Sequence, residues 1–334
     1  MAKKTPILYP ATIFNVFKPA NMTSFDVVRS FKKNLPPGLG KIGHLGTLDP
    51  FASGVLLLAA AGASRINQYV HELLPKTYLA IGRLGLSSDT GDRAGTISKR
   101  LPADPSLDQK LSQLDPASLE AMLRQKFVGE YWQGPPAFSA TKHQGVPLYQ
   151  WAREGVMIEK APVKRHIHDI HVVKFCYPFL SLRVTVSSGT YIRTLFEDCS
   201  SFLGGEGYLV GLLRESIGPL HMNTSMRRSI WPKAAKNGEG EVFKVEDYGL
   251  RPDALLPFSE CKLDGQNSSK FKNGLKLAIT PAEVLPAGGG RETLGVNKIW
   301  VYSASGPLIG MGHYAEGNLS PLLNFSNGMA QIAP

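Results

Sequence analysis

The sequence is short of cysteine, of acidic charge and of long apolar runs, and each shortage closes off a class of protein. The cysteines, Cys176, Cys199 and Cys261, are scattered over 334 residues without a C-x-x-C pair. Such a set supports neither a disulfide framework nor a zinc site, and it suits a reducing cytosol. The longest apolar stretch, residues 55–63, covers nine positions, whereas a bilayer-crossing helix needs roughly 20. It reads instead as a buried strand running into a helix. The start of the chain, MAKKTPILYPATIF, has Pro6 and Pro10 where a secretory signal would carry its apolar run. Charged residues make up only 19% against 43% hydrophobic, which excludes a disordered chain and allows a sizeable core. At ~100–200 residues per domain the length fits about two domains.

What is present is basic charge. Lysine and arginine number 37 against 27 acids, a net charge of +10. That excess fits a partner rich in phosphates and would also fit an anionic membrane surface.

Residues 13–17 are expected as a strand stopped by Lys18 and Pro19. Thr23 and Asp26 have capping-box spacing, and Phe25, Val28 and Phe31 form a helical stripe up to about Asn34. A second helix is expected at Asp115 and Pro116, with the stripe Leu119, Met122, Leu123 and Phe127. Residues 133–145 read as loop, and 148–154 as a short helix ended by Gly155. In 180–187, Leu180, Leu182, Val184 and Val186 alternate with Ser181, Arg183 and Thr185, a strand with one buried face. A helix follows with the stripe Tyr191, Leu195, Cys199 and Phe202. Strands and helices mix without a βαβ beat, so the fold class is α+β. After a composition shift at 233–257, short β segments at 299–302 and 308–312 suggest a small all-β module. The division is therefore a main domain over 1–250 and a module over 258–334.

Chemistry-bearing residues gather in three places. G-x-G-x-x-G at 38–43 lacks the preceding strand and the acid about 20 residues on that a dinucleotide site requires, so it reads as a loop. GHLGTLDPFASG at 43–54 packs a histidine, an aspartate and three glycines beside a buried strand, where catalytic groups are often mounted. Pro50 biases Asp49 toward an extended backbone. SGTYIR at 188–193 places Arg193 near a helix start, able to reach back over the sheet end. His166, His168 and His171 share a strand-like segment but lack a further ligand, and read as surface or RNA-facing groups; no metal is expected.

GHLGTLDPFASG resembles the nucleophile motif of TruB-type pseudouridine synthases, and four further segments follow in that family's order. Lys76-Thr-Tyr78 with Gly85 and SDTGD at 88–92 is one. Gln133-Gly-Pro-Pro136 through Ser139 and Lys142 to Gly145, Tyr149 and Arg153 is the next. Gly189-Thr-Tyr-Ile-Arg-Thr194 resembles G-T-Y-I-R-T, and Leu213 and Arg214 with Gly218 resemble the closing L-x-R-x-x-x-G. The resemblance covers about residues 12–220. More loosely, 306–312 and 317–321 resemble an RNA-binding PUA module. The implied fold is a mixed, mainly antiparallel sheet domain of pseudouridine synthase type, with a small C-terminal all-β PUA-like barrel.

The implied activity is isomerisation of the T-loop uridine at position 55 of tRNA, without metal or other cofactor. Asp49 is implied as the nucleophile, attacking the sugar or assisting through another step. Arg193 would keep it charged and aimed, and Tyr78 would stack on the uracil and take part in proton removal from the ring carbon. Leu213 would wall the pocket, and Gly46, Thr47, Tyr191 and Lys142 would contact substrate. Extruding the base leaves a gap that His44 would fill; the plainer alternative is that His44 bonds its own loop. The implied partner is the T-arm stem-loop of tRNA, bound by a cytoplasmic monomer that needs no guide RNA, protein partner or membrane. The nucleophile motif near the N-terminus favours that stand-alone type over a guide-dependent subunit. A third possibility is a module that assists tRNA folding and whose catalysis is dispensable.

Overall fold

The computed structural model describes residues 9–36, 38–99, 105–233, 243–287, 293–294 and 297–325. The proline-marked first eight residues, Pro37 and the glycine-bearing run 237–240 lie outside them.

The larger part is a nine-stranded sheet with helices against it. It starts with β1 (Thr12–Lys18), α1 (Ser24–Asn34), β2 (Gly43–His44), β3 (Ser53–Ala60), α2 (Asn67–Leu73) and β4 (Lys76–Leu84). The small strands β5 (Leu86–Ser88) and β6 (Ile97–Lys99) pair with each other, and α3 (Pro105–Ser112) and α4 (Pro116–Phe127) follow. Next come β7 (Gly129–Gln133), β8 (Lys142–His143), β9 (Val146–Pro147) and α5 (Leu148–Arg153). The part closes with β10 (Val163–Cys176), β11 (Phe179–Val186), α6 (Ile192–Phe202), β12 (Gly207–Ile217) and β13 (Leu220–His221). The order is β1-β3-β12-β4-β11-β10-β7, with β2 against β3 and β13 against β12. Every pairing is antiparallel except β12 with β3. The sheet is therefore mixed and mainly antiparallel, and the fold class is α+β.

Local chemistry explains the elements. In β3, Gly54 to Ala60 are all buried, because a strand covered on both faces carries apolar residues without alternation. In β11, Leu180, Leu182, Val184 and Val186 are at most 1% exposed, as the period-two pattern requires. Thr23 and Asp26 form the expected capping box on α1, and the Asp115 side chain caps α4. Three stripe residues fall on the other side. Phe25 is 61% exposed because Val27, Val28 and Phe31 take the core face, leaving its ring under Arg29. Met122 and Phe202 are also exposed: α4 buries only the narrow line Leu119, Leu123 and Phe127, and Phe202 lies on the last turn of α6. Tyr191 precedes α6, whose buried face starts at Ile192.

Two short helices, α7 (Val245–Tyr248) and α8 (Pro252–Leu255), lead to the second part. There β14 (Ser259–Leu263), α9 (Gly265–Lys272), β15 (Leu277–Ala278), β16 (Val284–Leu285), β17 (Lys298–Ser303), β18 (Leu308–Ala315) and β19 (Asn318–Asn324) follow. The strands form a six-stranded sheet in the order β15-β19-β18-β17-β14-β16. The polar helix α9 is an addition to the all-β pattern, opened by the Asp264 side chain and anchored by buried Phe271. The two parts share a core. Trp300, Tyr302, Met311 and Phe325 cluster with Leu255, Leu256 and Phe258 and with Ile66 and Val70 of the α2 region.

Candidate active site

Asp49 sits in the turn that enters β3, and that turn is fixed from two sides. On one side, the Ser24 hydroxyl at the start of α1 accepts from the Leu48 amide at 2.9 Å and donates to its carbonyl at 3.1 Å. The Asn21 amide donates to the Pro50 carbonyl at 2.8 Å. On the other side lies Arg214, only 1% exposed. Its Nε donates to Val55 O at 2.7 Å, Nη1 to Thr47 O at 3.1 Å and Nη2 to Gly46 O at 3.2 Å. The guanidinium fork thus bridges the turn to the strand behind it. Gly54, at φ +118°, makes the approach possible: a Cβ there would fall 2.2 Å from the Arg214 carbonyl oxygen.

Arg193 reaches Asp49 from the first turn of α6, 144 positions away, with Nε 3.0 Å from Oδ2. Its Nη1 donates to Thr90 O at 2.7 Å and Nη2 to Phe138 O at 3.0 Å. Asp92 Oδ2 stands 3.7 Å from the same Nε. The Arg193 side chain is 5% exposed and that of Asp49 is 35% exposed. The carboxylate is thus held by a buried cation while part of it remains open to solvent. Behind the turn, buried Lys18 donates to the carbonyls of Pro19, Met22 and Pro50. Burial, then Arg214, lower its pKa to about 8, while Asp49 and Asp26 work in the opposite direction.

Strand register decides what else faces the turn. Tyr78 of β4 is opposite Val184 of β11 and Arg214 of β12, and cross-strand partners share a face. It is 7% exposed and packs in one cluster with Leu48, Phe51 and Ala52. Leu213 does not join it: its partner is Leu79, one residue out of phase and so on the opposite face. Leu212, opposite Ala80, lies in the Tyr78 cluster. Counted back from Arg214 and Gly218, the L-x-R-x-x-x-G spacing also falls on Leu212, which corrects the expectation for Leu213.

His44 is half-buried beside the turn, and burial, then the Arg214 charge, lower its pKa. Its Nδ1 is buried with no hydrogen-bond partner among the described residues. Gly46 and Thr47 present carbonyls to Arg214. The Tyr191 hydroxyl is engaged with Thr141 Oγ1 at 2.8 Å, and its backbone is clasped by the Gln133 amide; it ties down the loop that carries Phe138. Lys142 is exposed on β8, and Lys160 donates to its carbonyl. Among the described residues no three His, Cys, Asp or Glu side chains gather as for a metal.

Four contributors were not singled out from the sequence. Arg214 and Asp92 lay inside quoted motifs, but nothing local assigns them a partner. Lys18 had one signal, a cation ending an apolar strand. Lys76 is 4% exposed, and its signal was a lysine sharing a strand face with Tyr78, two residues on.

The family model described as TruB family pseudouridylate synthase (N terminal domain) matches residues 32–192. The tRNA pseudouridine synthase B of Burkholderia pseudomallei (strain 668) is 35% identical over 308 residues, 91% of this chain and 93% of that one. The protein of the same name from Dehalococcoides mccartyi is 35% identical over 268 residues, 80% of this chain and 84% of that one. Among solved structures, that of a Cbf5-Nop10-Gar1 complex aligns with a TM-score of 0.63 at 21% identity, covering 95% of this chain and 85% of that one. The class defined by fold and site is that of the pseudouridine synthases, isomerases that move a uracil from a nitrogen to a carbon linkage. Within it, the chain belongs to the TruB family.

Proposed function

We propose that this chain converts the T-loop uridine at position 55 of tRNA to pseudouridine, with Asp49 as the nucleophile. The names of its relatives support tRNA as the substrate. The observation that carries the assignment of Asp49 is its carboxylate, held 3.0 Å from Arg193 Nε with its side chain 35% exposed. In the reaction the N1–C1′ bond breaks and the uracil leaves with the bonding pair. The ring turns, the C5–C1′ bond forms, the C5 proton departs and N1 is protonated. Asp49 attacks the sugar or assists its departure through another step, with Arg193 holding its charge in place. Tyr78, packed beside the turn, stacks on the uracil and helps remove the C5 proton. Leu212 supplies the apolar wall.

Extruding a base costs a few kcal/mol, and stacking on a replacement surface returns roughly 1–3 kcal/mol. His44 suits that role, because its Nδ1 makes no bond to its own loop and burial favours its neutral form. The C-terminal sheet serves as an RNA-binding module, while Gly46, Thr47, Tyr191 and Lys142 line the approach. The enzyme acts as a cytoplasmic monomer without guide RNA, protein partner or cofactor, and assists tRNA folding as it binds.

The test is incubation of the purified chain alone with an unmodified tRNA transcript, followed by mapping of pseudouridine. One product site in the T loop is expected from the wild type and none from Asp49→Asn. An inactive wild type, or a product made by Asp49→Asn, would overturn the reading.

A further inference from the structure

On the reading that the Asp49 site takes a uridine in RNA, we propose that Lys76, His71 and Ser188, backed by Arg214, form a separate anion subsite that holds a phosphodiester of the substrate strand next to the flipped nucleotide. Lys76 lies on the Tyr78 face of β4, nine-tenths or more buried. Its ammonium meets the hydroxyl of Ser188, in the joint that leads to Arg193. An ammonium has three donor hydrogens, so donors remain for a ligand. His71 of α2 flanks the same spot: a Cβ placed on Gly46 would lie 3.7 Å from His71 Cε1 and 3.9 Å from Lys76 Cε.

The described groups that act electrostatically on Lys76 and His71 are basic. Besides burial, the group acting on Lys76 is Arg214, and those acting on His71 are Lys76, Arg214 and His44. Lys18 shows how this protein completes a buried lysine it uses for structure, with three backbone carbonyls and Asp49 and Asp26 favouring its charge. Among the described residues Lys76 has no such set, only the Ser188 hydroxyl. Buried cations without a counter-charge are costly unless an anion arrives, and a phosphodiester oxygen supplies both charge and acceptors. The position suits the substrate strand. Residues 46–49 run from the Lys76 side to the nucleophile, so a sugar at Asp49 with its base toward Tyr78 leaves the adjoining phosphate alongside Gly46.

The experiment uses the full-length chain and T-arm hairpins that carry one neutral methylphosphonate linkage, either 5′ or 3′ of the target uridine. Wild type, Lys76→Met and His71→Gln are titrated with each hairpin and with the natural one. For the wild type, one of the two linkages should lower affinity about tenfold, the size of one lost charge-assisted contact. Both variants should bind the natural hairpin more weakly; Lys76→Met, which removes the cation, should also lose under twofold more at that same linkage and show a log–log salt slope smaller by about 0.7. A full further loss in Lys76→Met, or wild-type indifference to both linkages, would overturn the subsite. If Lys76→Met fails to fold, Lys76→Gln, which keeps a polar end beside Ser188, carries the comparison. Pseudouridine formation by the wild type is scored in parallel. Its absence sinks the parent reading, whereas its presence with additive losses sinks only the subsite.

Discussion

The residues around Asp49 differ in how far they can be altered. Arg193→Lys keeps the charge, but an ammonium cannot serve Asp49, Thr90 O and Phe138 O in one plane. It should lower kcat at least about tenfold, and near-normal turnover in a single-turnover assay would show that the fork is dispensable. Truncation to Met leaves the carboxylate without its buried partner, a loss of ~3–5 kcal/mol, toward the lower end because Asp49 is part-exposed. Lys76 makes a pH prediction. Its pKa falls from 10.5 to about 7 on folding, from burial and then Arg214. Between those values the unfolded chain holds more protons, so this residue's contribution to stability rises with pH over that window and its full penalty applies below it. The urea midpoint of RNA-free wild type, compared with Lys76→Met, should improve from pH 7 to pH 9; a constant difference would refute it. Asp49 and Arg193 were legible in the sequence because both lie in dense motifs. Arg214 was not, because its three partners are backbone carbonyls and carbonyls carry no sequence signal.

The elements bring these residues together through close backbone contact. Gly54→Ala would put a methyl 2.2 Å from the Arg214 carbonyl across the parallel β3–β12 pair, at a φ that side chains avoid. It should abolish activity and lower Tm by several degrees. Gly43→Ala meets nothing within 4 Å and should be close to neutral. Equal effects of the two substitutions, read by thermal melt, would contradict this account of the strand pair. β11 was readable in full because one face is core and the other is not. The face of Leu213 was not, since a shift of one residue turns every side chain over and only pairing with β4 fixes the phase. Helix α9 escaped notice because its serines and asparagine are weak helix formers, and its hold on the fold comes from the Asp264 cap and from Phe271 buried in the module core.

At the scale of the molecule, the second part is continuous with the first. Deleting it from Ser259 would expose Ile66, Val70, Leu255 and Leu256, which now share a cluster with Trp300 and Met311. The truncated chain should lose stability and aggregate, and a soluble truncation with an unchanged urea midpoint would contradict the shared core. The excess of 37 basic over 27 acidic residues should give tRNA binding a steep salt dependence, with a slope of about −0.7 to −0.9 for each phosphate neutralised; affinity flat with salt would remove the electrostatic docking.

The spacing of the Asp49 partners also sets an order in time. Arg193 follows Asp49 by 144 positions, and Arg214 follows Thr47 by 167. A ribosome delivering about 5–20 residues per second releases the Asp49 turn many seconds before either arginine exists. Until β12 inserts between β3 and β4, those two strands have no partner between them and the turn has no fork beneath it. A chain cut short before β12 should therefore make no pseudouridine whatever motif it already displays, and mapping the product of such a truncation would check it.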